Sequence, residues 1–333
     1  MKRLTLTPLY GWAAFALVTL LVGVLFKDQA YLMRVGILAL LYGVLTVSLN
    51  LVNGFTGLFS LGHAAFYGIG AYASGLLALR LGWPFPLALV AAGVVAAFFG
   101  LLLSLPSLRL RGIYLAIVTL AFAEIVRLMI INLQGLTRGP FGLPGIPPPN
   151  LFGVRLTTDF SVFLLALALL LFAVYVVERI MRSRIGDALL AIRDDEVAAA
   201  ACGIRVFQYK VLAFVTASFL AGMAGSVYAH YTRFISPDSF TLNESFIVLS
   251  MLVFGGMGST AGAVLGAGVL TALPEAFRFA AEYRMLIYGI VLTLVILFRP
   301  QGVLGSTAFT TPGLRLPSLG RLARGGLRGA AKT

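Results

Sequence analysis

ERIMRSRIGDALLAIRDDEVAAAACGIRVFQYK, residues 178–210, interrupts an otherwise apolar chain with six of its 25 Lys and Arg and five of its 12 Asp and Glu. Long hydrophobic runs lie on both sides of it. Within it, Ala188, Leu189, Ile192 and Val197 are set against Arg193, Asp194, Asp195 and Glu196. The residue types favour a helix over Asp187–Ala201, and Gly203 stands where a helix C-cap is expected. A membrane protein that gathers this much charge in one internal loop is expected to use it to touch a soluble partner, one helix face lying in a groove. The rival reading is an amphipathic helix resting on the lipid surface. Five acids disfavour that reading, because the inner leaflet is anionic.

The surroundings of this loop decide the fold class. The chain of 333 residues is 60% hydrophobic and 11% charged, against about 25% charged residues in a soluble domain. A bilayer core is about 30 Å thick and takes roughly 20 apolar residues per helix, so about ten spans would use roughly 200 residues, close to the apolar fraction. Hydrocarbon offers no partner for a free N–H or C=O, so the spans are helices. Continuous rather than alternating apolar runs argue against a β-barrel. The expected fold is an all-α polytopic membrane protein with about ten transmembrane or partly re-entrant helices, near 9–26, 32–52, 62–79, 86–105, 112–131, 159–178, 210–230, 244–257, 260–278 and 284–298.

Charge sets the expected orientation. The net charge is +13, carried by 21 Arg and four Lys. The positives flank spans, which points to cytoplasmic retention rather than to nucleic acid. Lys2 and Arg3 place the N-terminus in the cytoplasm. With ten crossings, Arg109 and Arg111, the 178–210 loop and the basic tail (Arg299, Arg315, Arg321, Arg324, Arg328, Lys332) fall on the same side. Lys27, Arg34, Arg138 and Arg155 fall outside and run against the bias. The first apolar run lacks a small-residue cleavage site and reads as a retained span. Cys202, the single cysteine, has no partner for an internal disulfide. The expected organisation is a transmembrane domain over 1–305, with an external loop at 132–158 and the cytoplasmic loop at 178–210, followed by a cytoplasmic tail over 306–333.

Two glycine-rich stretches, Asn53–Gly70 and Gly255–Gly268, are expected to be broken or re-entrant helices, since each glycine weakens a helix by about 1 kcal/mol relative to alanine. If both only dip into the membrane, the number of full crossings falls. LVNGFTG at 51–57 can be laid over LVFGGMG at 252–258, a candidate internal repeat of the kind whose interrupted helices line transporter sites. The small-residue pattern of AFVTASFLAGMAGSVYA implies tight helix packing. The Pro- and Gly-rich loop 132–158 is expected to have no helix or strand of its own, and to be either a passive linker or an external docking surface.

No catalytic constellation is visible: there is no HExxH, no paired-Cys metal site, no nucleophile elbow and no P-loop lysine. Glu124 is the clearest acid inside a span, at a cost on the order of 2.5–3.5 kcal/mol. Arg127 lies on its face three residues on, so the pair is either a substrate or gating group or a structural ion pair. Asn50 and Asn53 end the second span, and Ser60, His63 and Tyr67 follow at helical spacing. They would form a polar stripe along a pathway, or, for His63, a neutral interhelical hydrogen bond.

The segments GFTGLFSLGHAAFYGIGAY, LRGIYLAIVTLAFAEIVRL, SRIGDALLAIRDDEVAAAACGI and YRMLIYGIVLTLVILFRPQGVLG resemble the LivM-type permease of bacterial branched-chain amino-acid ABC importers, over residues 34–305. The resemblance implies an inner-membrane import subunit that works with a second, LivH-type permease, two ABC ATPase subunits that hold ATP and Mg, and an external binding protein. It implies no cofactor in this chain, no enzymatic activity and no nucleic acid. It makes 178–210 the coupling loop, with Arg184, Asp187, Arg193, Asp194, Asp195, Glu196, Ala198, Ala199 and Gly203 as candidate contacts. Glu196, Ala198, Ala199 and Gly203 form a looser, one-residue-longer version of an EAA-x3-G pattern. Asn50, Asn53, Ser60, His63, Tyr67 and Glu124 are the candidate path residues. The cargo, a branched-chain or related amino acid, is not written in any residue. The competing class is a gradient-driven secondary transporter or channel, which would show ionisable groups in several spans. A membrane enzyme would need a catalytic cluster.

Overall fold

The computed structural model describes residues 7–108, 110, 112–151, 154–276, 289, 293, 297 and 302–304. In chain order the helices are α1 (Thr7–Leu25), α2 (Ala30–Leu49) prolonged by a π-helical turn over Asn50–Phe55, α3 (His63–Leu81), α4 (Phe85–Ser107), α5 (Ile113–Asn132) and the short α6 (Gln134–Thr137). After the strand pieces β1 (Leu143–Pro144), β2 (Asn150–Leu151) and β3 (Val154–Arg155) come α7 (Asp159–Met181), α8 (Arg184–Asp194), α9 (Glu196–Ala201) and α10 (Val206–Thr232). The strand piece β4 (Phe234–Ile235) and then α11 (Leu242–Gly255) and α12 (Thr260–Ala276) follow.

Nine of the ten expected spans therefore coincide with helices. The tenth, 284–298, lies outside the described residues except at 289, 293 and 297, as do Lys2, Arg3, Arg109, Arg111 and the 306–333 tail. Among the described residues, six helices are long and apolar enough to cross a membrane: Ala30–Phe55, His63–Leu81, Phe85–Ser107, Ile113–Asn132, Asp159–Met181 and Val206–Thr232. Gly11–Leu25 and Thr260–Glu275 are shorter apolar helices. α11, with 14 residues, is about 21 Å long at 1.5 Å per residue, less than a bilayer core.

The centre of the bundle is built from close backbone approaches. α10 packs against α3 and α4, and α2 against α7 and α12. A Cβ on Gly225 would overlap the Tyr67 carbonyl oxygen, one on Gly70 the Gly222 backbone, and one on Gly222 the Ala96 side chain. Small residues thus bring α3, α4 and α10 together, as their spacing implies, because dispersion contacts are the main attraction available between apolar helices in lipid. At one end, Ser74 Oγ lies 2.6 Å from Ser226 Oγ and 2.9 Å from His230 Nε2, and His230 Nδ1 lies 2.7 Å from the Pro147 carbonyl. A carbonyl only accepts, so Nδ1 carries a proton, and in the neutral ring Nε2 is the acceptor for Ser74.

Three expectations are corrected. First, the glycine-rich stretches, expected to be broken or re-entrant, are interrupted by turns, which takes Ser60 off the helix that carries His63 and Tyr67. Each straddles a helix end, a turn and the next helix start: Thr56–Gly62 between the π turn and α3, and Gly256–Ser259 between α11 and α12. Ser60 accordingly precedes α3 and does not share a helical face with His63 and Tyr67. Second, the 132–158 loop has structure of its own. α6, a 3₁₀ turn over Gly139–Phe141 and the β2–β3 pair lie within it, and β1 pairs antiparallel with β4, more than 80 residues away. Third, Asp187–Ala201 is two helices rather than one.

Candidate functional site

The 178–210 region folds as a module on one end of the bundle. Glu178 and Arg182 pair at 2.9 Å on the last turns of α7. Ser183 caps α8 by accepting the Ile185 N–H at 3.2 Å, and Ala188, Leu189 and Ile192 turn inward. Asp195 is extended (φ −156°, ψ 110°) and its carboxylate accepts from the N–H groups of Val197 and Ala198 at 2.8 and 3.0 Å. This N-cap starts a new helix and divides α8 from α9. α9 ends as the sequence implies. Gly203 has φ +82°, and the N–H groups of Gly203 and Ile204 donate to the carbonyls of Ala200 and Ala199, a Schellman arrangement that glycine allows without strain.

The nine residues singled out here separate into three kinds. Arg184, Asp187, Asp194, Ala198 and Gly203 face outward, with Cys202 beside them. Ala199 is buried, Glu196 forms a 2.9 Å ion pair with Lys210 on α10, and Asp195 is the cap. Arg193 stays exposed, yet its Nη1 reaches across to the bundle and donates to the Gly54 carbonyl at 2.7 Å. Val197, an apolar side chain 63% exposed on α9, completes the outer face and was legible only as part of the helix.

The six path candidates are not brought together as one stripe. Asn53 and Ser60 close a reciprocal pair: the Asn53 amide donates to the Ser60 carbonyl and accepts its N–H, both at 3.1 Å. His63 Nε2 sits 2.8 Å from Ser48 Oγ, which donates to the Leu45 carbonyl, so the histidine is a satisfied interhelical bridge. Arg127 grips Glu124 through Nε (3.1 Å to each oxygen) and Nη2 (2.6 Å). That pair is part-exposed on the side of α5 that carries exposed Ile117, Ile125 and Leu128, outside both cavities described next. Asn50 is buried and is taken up below. Of the six, Tyr67 lines one of the two cavities described next.

That cavity was missed by sequence reasoning. A space of about 160 Å³ is bounded by Leu38, Leu41, Tyr42, Tyr67, Tyr228, Ser239 and Glu244. Tyr42 donates to Glu244 at 2.9 Å, and the rings of Tyr67, Tyr228 and Phe240 pack within 5.2–6.1 Å of one another. One turn further along α2 and α10 lies a larger cavity of about 320 Å³, whose lining includes Arg34, Asp159, His230, Tyr231 and Arg233. The larger space thus holds two arginines and an acid, and the smaller one aromatic and aliphatic groups with one acid. Glu244 opens a predicted span and Arg34 appeared only as a charge against the orientation bias. Their convergence depends on the packing of α2 against α10 and α11. Among the described residues no group of three or more His, Cys, Asp or Glu gathers as a metal site.

Over residues 31–296 the chain matches the family model described as branched-chain amino acid transport system / permease component. It is 39% identical over 304 residues to the high-affinity branched-chain amino acid transport system permease protein LivM of Salmonella typhimurium, covering 84% of this chain and 71% of that protein. The Escherichia coli LivM is 40% identical over 302 residues (84% and 70%). The Escherichia coli LivH protein, with the same description, is 27% identical over 293 residues (79% and 91%). No solved structure matches the chain.

Proposed function

Because the chain belongs to the branched-chain amino acid transport permease family, and within it resembles LivM, we propose that it is one permease half of an ATP-driven importer, moved by ATPase subunits that grip α8 and α9. It is a transport subunit embedded by many helices in the bacterial inner membrane. A LivH-type permease is its second half. Two ATPase subunits hold ATP and Mg, and a binding protein outside delivers branched-chain or related amino acids.

The observation that carries the docking role is the α8–α9 module. Its inner side is fastened by Leu189, Ile192, Ala199 and the Glu196–Lys210 pair, while Arg184, Asp187, Asp194, Val197 and Ala198 are left facing outward. A rigid projection with an apolar centre and a charged rim fits a partner groove. Facing the cytoplasm, it puts β1–β4 and the two cavities on the outer side. There the larger cavity offers arginines to a carboxylate and Asp159 to an ammonium group, and the smaller one offers aromatic and aliphatic walls to a hydrocarbon side chain. These groups suit the entrance of a path for an amino-acid zwitterion.

Val197→Glu tests the docking. The side chain is exposed, so folding is expected to survive. An uncompensated charge at the centre of a contact should lower copurification of the ATPase by about tenfold or more. Recovery of the ATPase at the parent level would overturn the reading.

A further inference from the structure

Two helix ends meet beneath α8. The π turn after α2 stops at Phe55 and α11 stops at Gly255. These are the two places aligned by LVNGFTG and LVFGGMG, and the final glycines of both, Gly57 and Gly258, have positive φ (+72° and +82°). The two ends touch. Asn50 Oδ1 accepts the Gly258 N–H at 2.8 Å, and a Cβ on Gly54 would come within 2.6 Å of the Gly258 nitrogen. A third piece, residues 302–304, donates from Val303 and Leu304 to the carbonyls of Phe254 and Gly255 at 2.8 and 3.0 Å.

Arg193 joins α8 to this junction. Besides its bond to the Gly54 carbonyl, its Cα and Cγ lie against Gly57 and its Nη1 against Gly258, where a Cβ would be 2.8 Å away. Helix C-termini present unpaired carbonyls and the negative end of the macrodipole. At the end of the π turn one such carbonyl, that of Gly54, is met by the Arg193 guanidinium, which is planar, permanently charged and able to donate in several directions, and which also lies beside Gly258 of the second turn. The buried Asn50, at 0% exposure, meanwhile has an Nδ2 with no partner. A buried donor left unpaired in protein is a penalty specific to this arrangement.

We propose that Arg193 is the positioning residue that carries motion of the ATPase-docking module into the bundle, by holding the ends of the α2 π turn and α11 together and moving them when α8 moves. The proposal rests on the docking reading of α8 and α9. It adds that the stroke arrives at the paired glycine turns, a two-state element biased by the nucleotide.

The test uses the whole complex, with its second permease, ATPases and binding protein, in vesicles with labelled leucine. Arg193→Gln should keep the ATPase bound and hydrolysing while leucine carried per ATP falls about ten- to a hundredfold, the scale of one charge-assisted hydrogen bond. Arg193→Lys, which keeps a charged donor, should recover most of it. Wild-type coupling in Arg193→Gln overturns the proposal. A second measurement does not depend on that variant folding. Ser259→Cys, in the second turn, should react with a soluble maleimide at a rate that differs several-fold between nucleotide-free and ATP–vanadate-trapped complex, read by mass spectrometry apart from Cys202. An unchanged rate with the ATPase bound overturns the role of Arg193, whereas loss of the docking reading shows separately, as full ATPase retention by Val197→Glu.

Discussion

Lys210 shows how much a single position depends on its neighbour. Its side chain is 3% exposed and its ammonium sits 2.9 Å from Glu196, which is 28% exposed. A buried charge that loses its partner is strongly destabilising, and water reaching the carboxylate side moderates the loss. Glu196→Gln should therefore lower stability by about 2 kcal/mol, read as an earlier thermal unfolding transition of the purified permease; an unshifted transition would show that the pair contributes nothing. Both residues stand out in the sequence as charges of one loop, yet their pairing does not, because α9 and the start of α10 are brought together by the Schellman turn at Gly203. Glu124 is the reverse case. The sequence shows both the acid and its partner at i+3, and the structure places the pair on the outer side of α5, away from either cavity.

Helices were legible from the apolar runs, since roughly 20 such residues have no stable alternative in lipid. Their ends were less so. Extended Asp195 splits what composition presents as one helix, because a carboxylate accepting two N–H groups starts a new helix where the old one is still rich in formers. The glycine clusters carried two different meanings that composition does not separate. Gly57 and Gly258 serve turns with positive φ, whereas Gly70, Gly222 and Gly225 serve contact between α3, α4 and α10. Gly225→Ala should accordingly push α10 off the Tyr67 carbonyl and cost about 1–3 kcal/mol of overpacking. Denaturant unfolding followed by helix signal checks this, and a midpoint equal to the parent's would mean that the contact yields freely.

At the scale of the molecule, the bundle has two distinct ends. One gathers α8, α9, the paired glycine turns and residues 302–304; the other gathers β1–β4, the larger cavity and the 132–158 loop. If the first is cytoplasmic, Cys202 and a cysteine placed at Phe141, which is 86% exposed in the outer loop, should react with a membrane-impermeant thiol reagent from opposite faces of sealed vesicles. Labelling of both from one face would reverse the assignment of sides.

By itself the sequence determined that the chain lives in lipid, that its spans are helices and where its exposed charged projection lies. Each of these follows from local composition acting over 20 or 30 residues, through the cost of unpaired backbone groups and charges in hydrocarbon. Only the tertiary structure decided that the Arg193 guanidinium meets the Gly54 carbonyl, that positions 54 and 258 meet, and that Arg34, Asp159, Arg233 and Glu244 come to line neighbouring cavities. These residues are separated by tens to hundreds of positions, and what brings them together is the close fit of glycine-bearing helix faces, which no local property of the chain encodes.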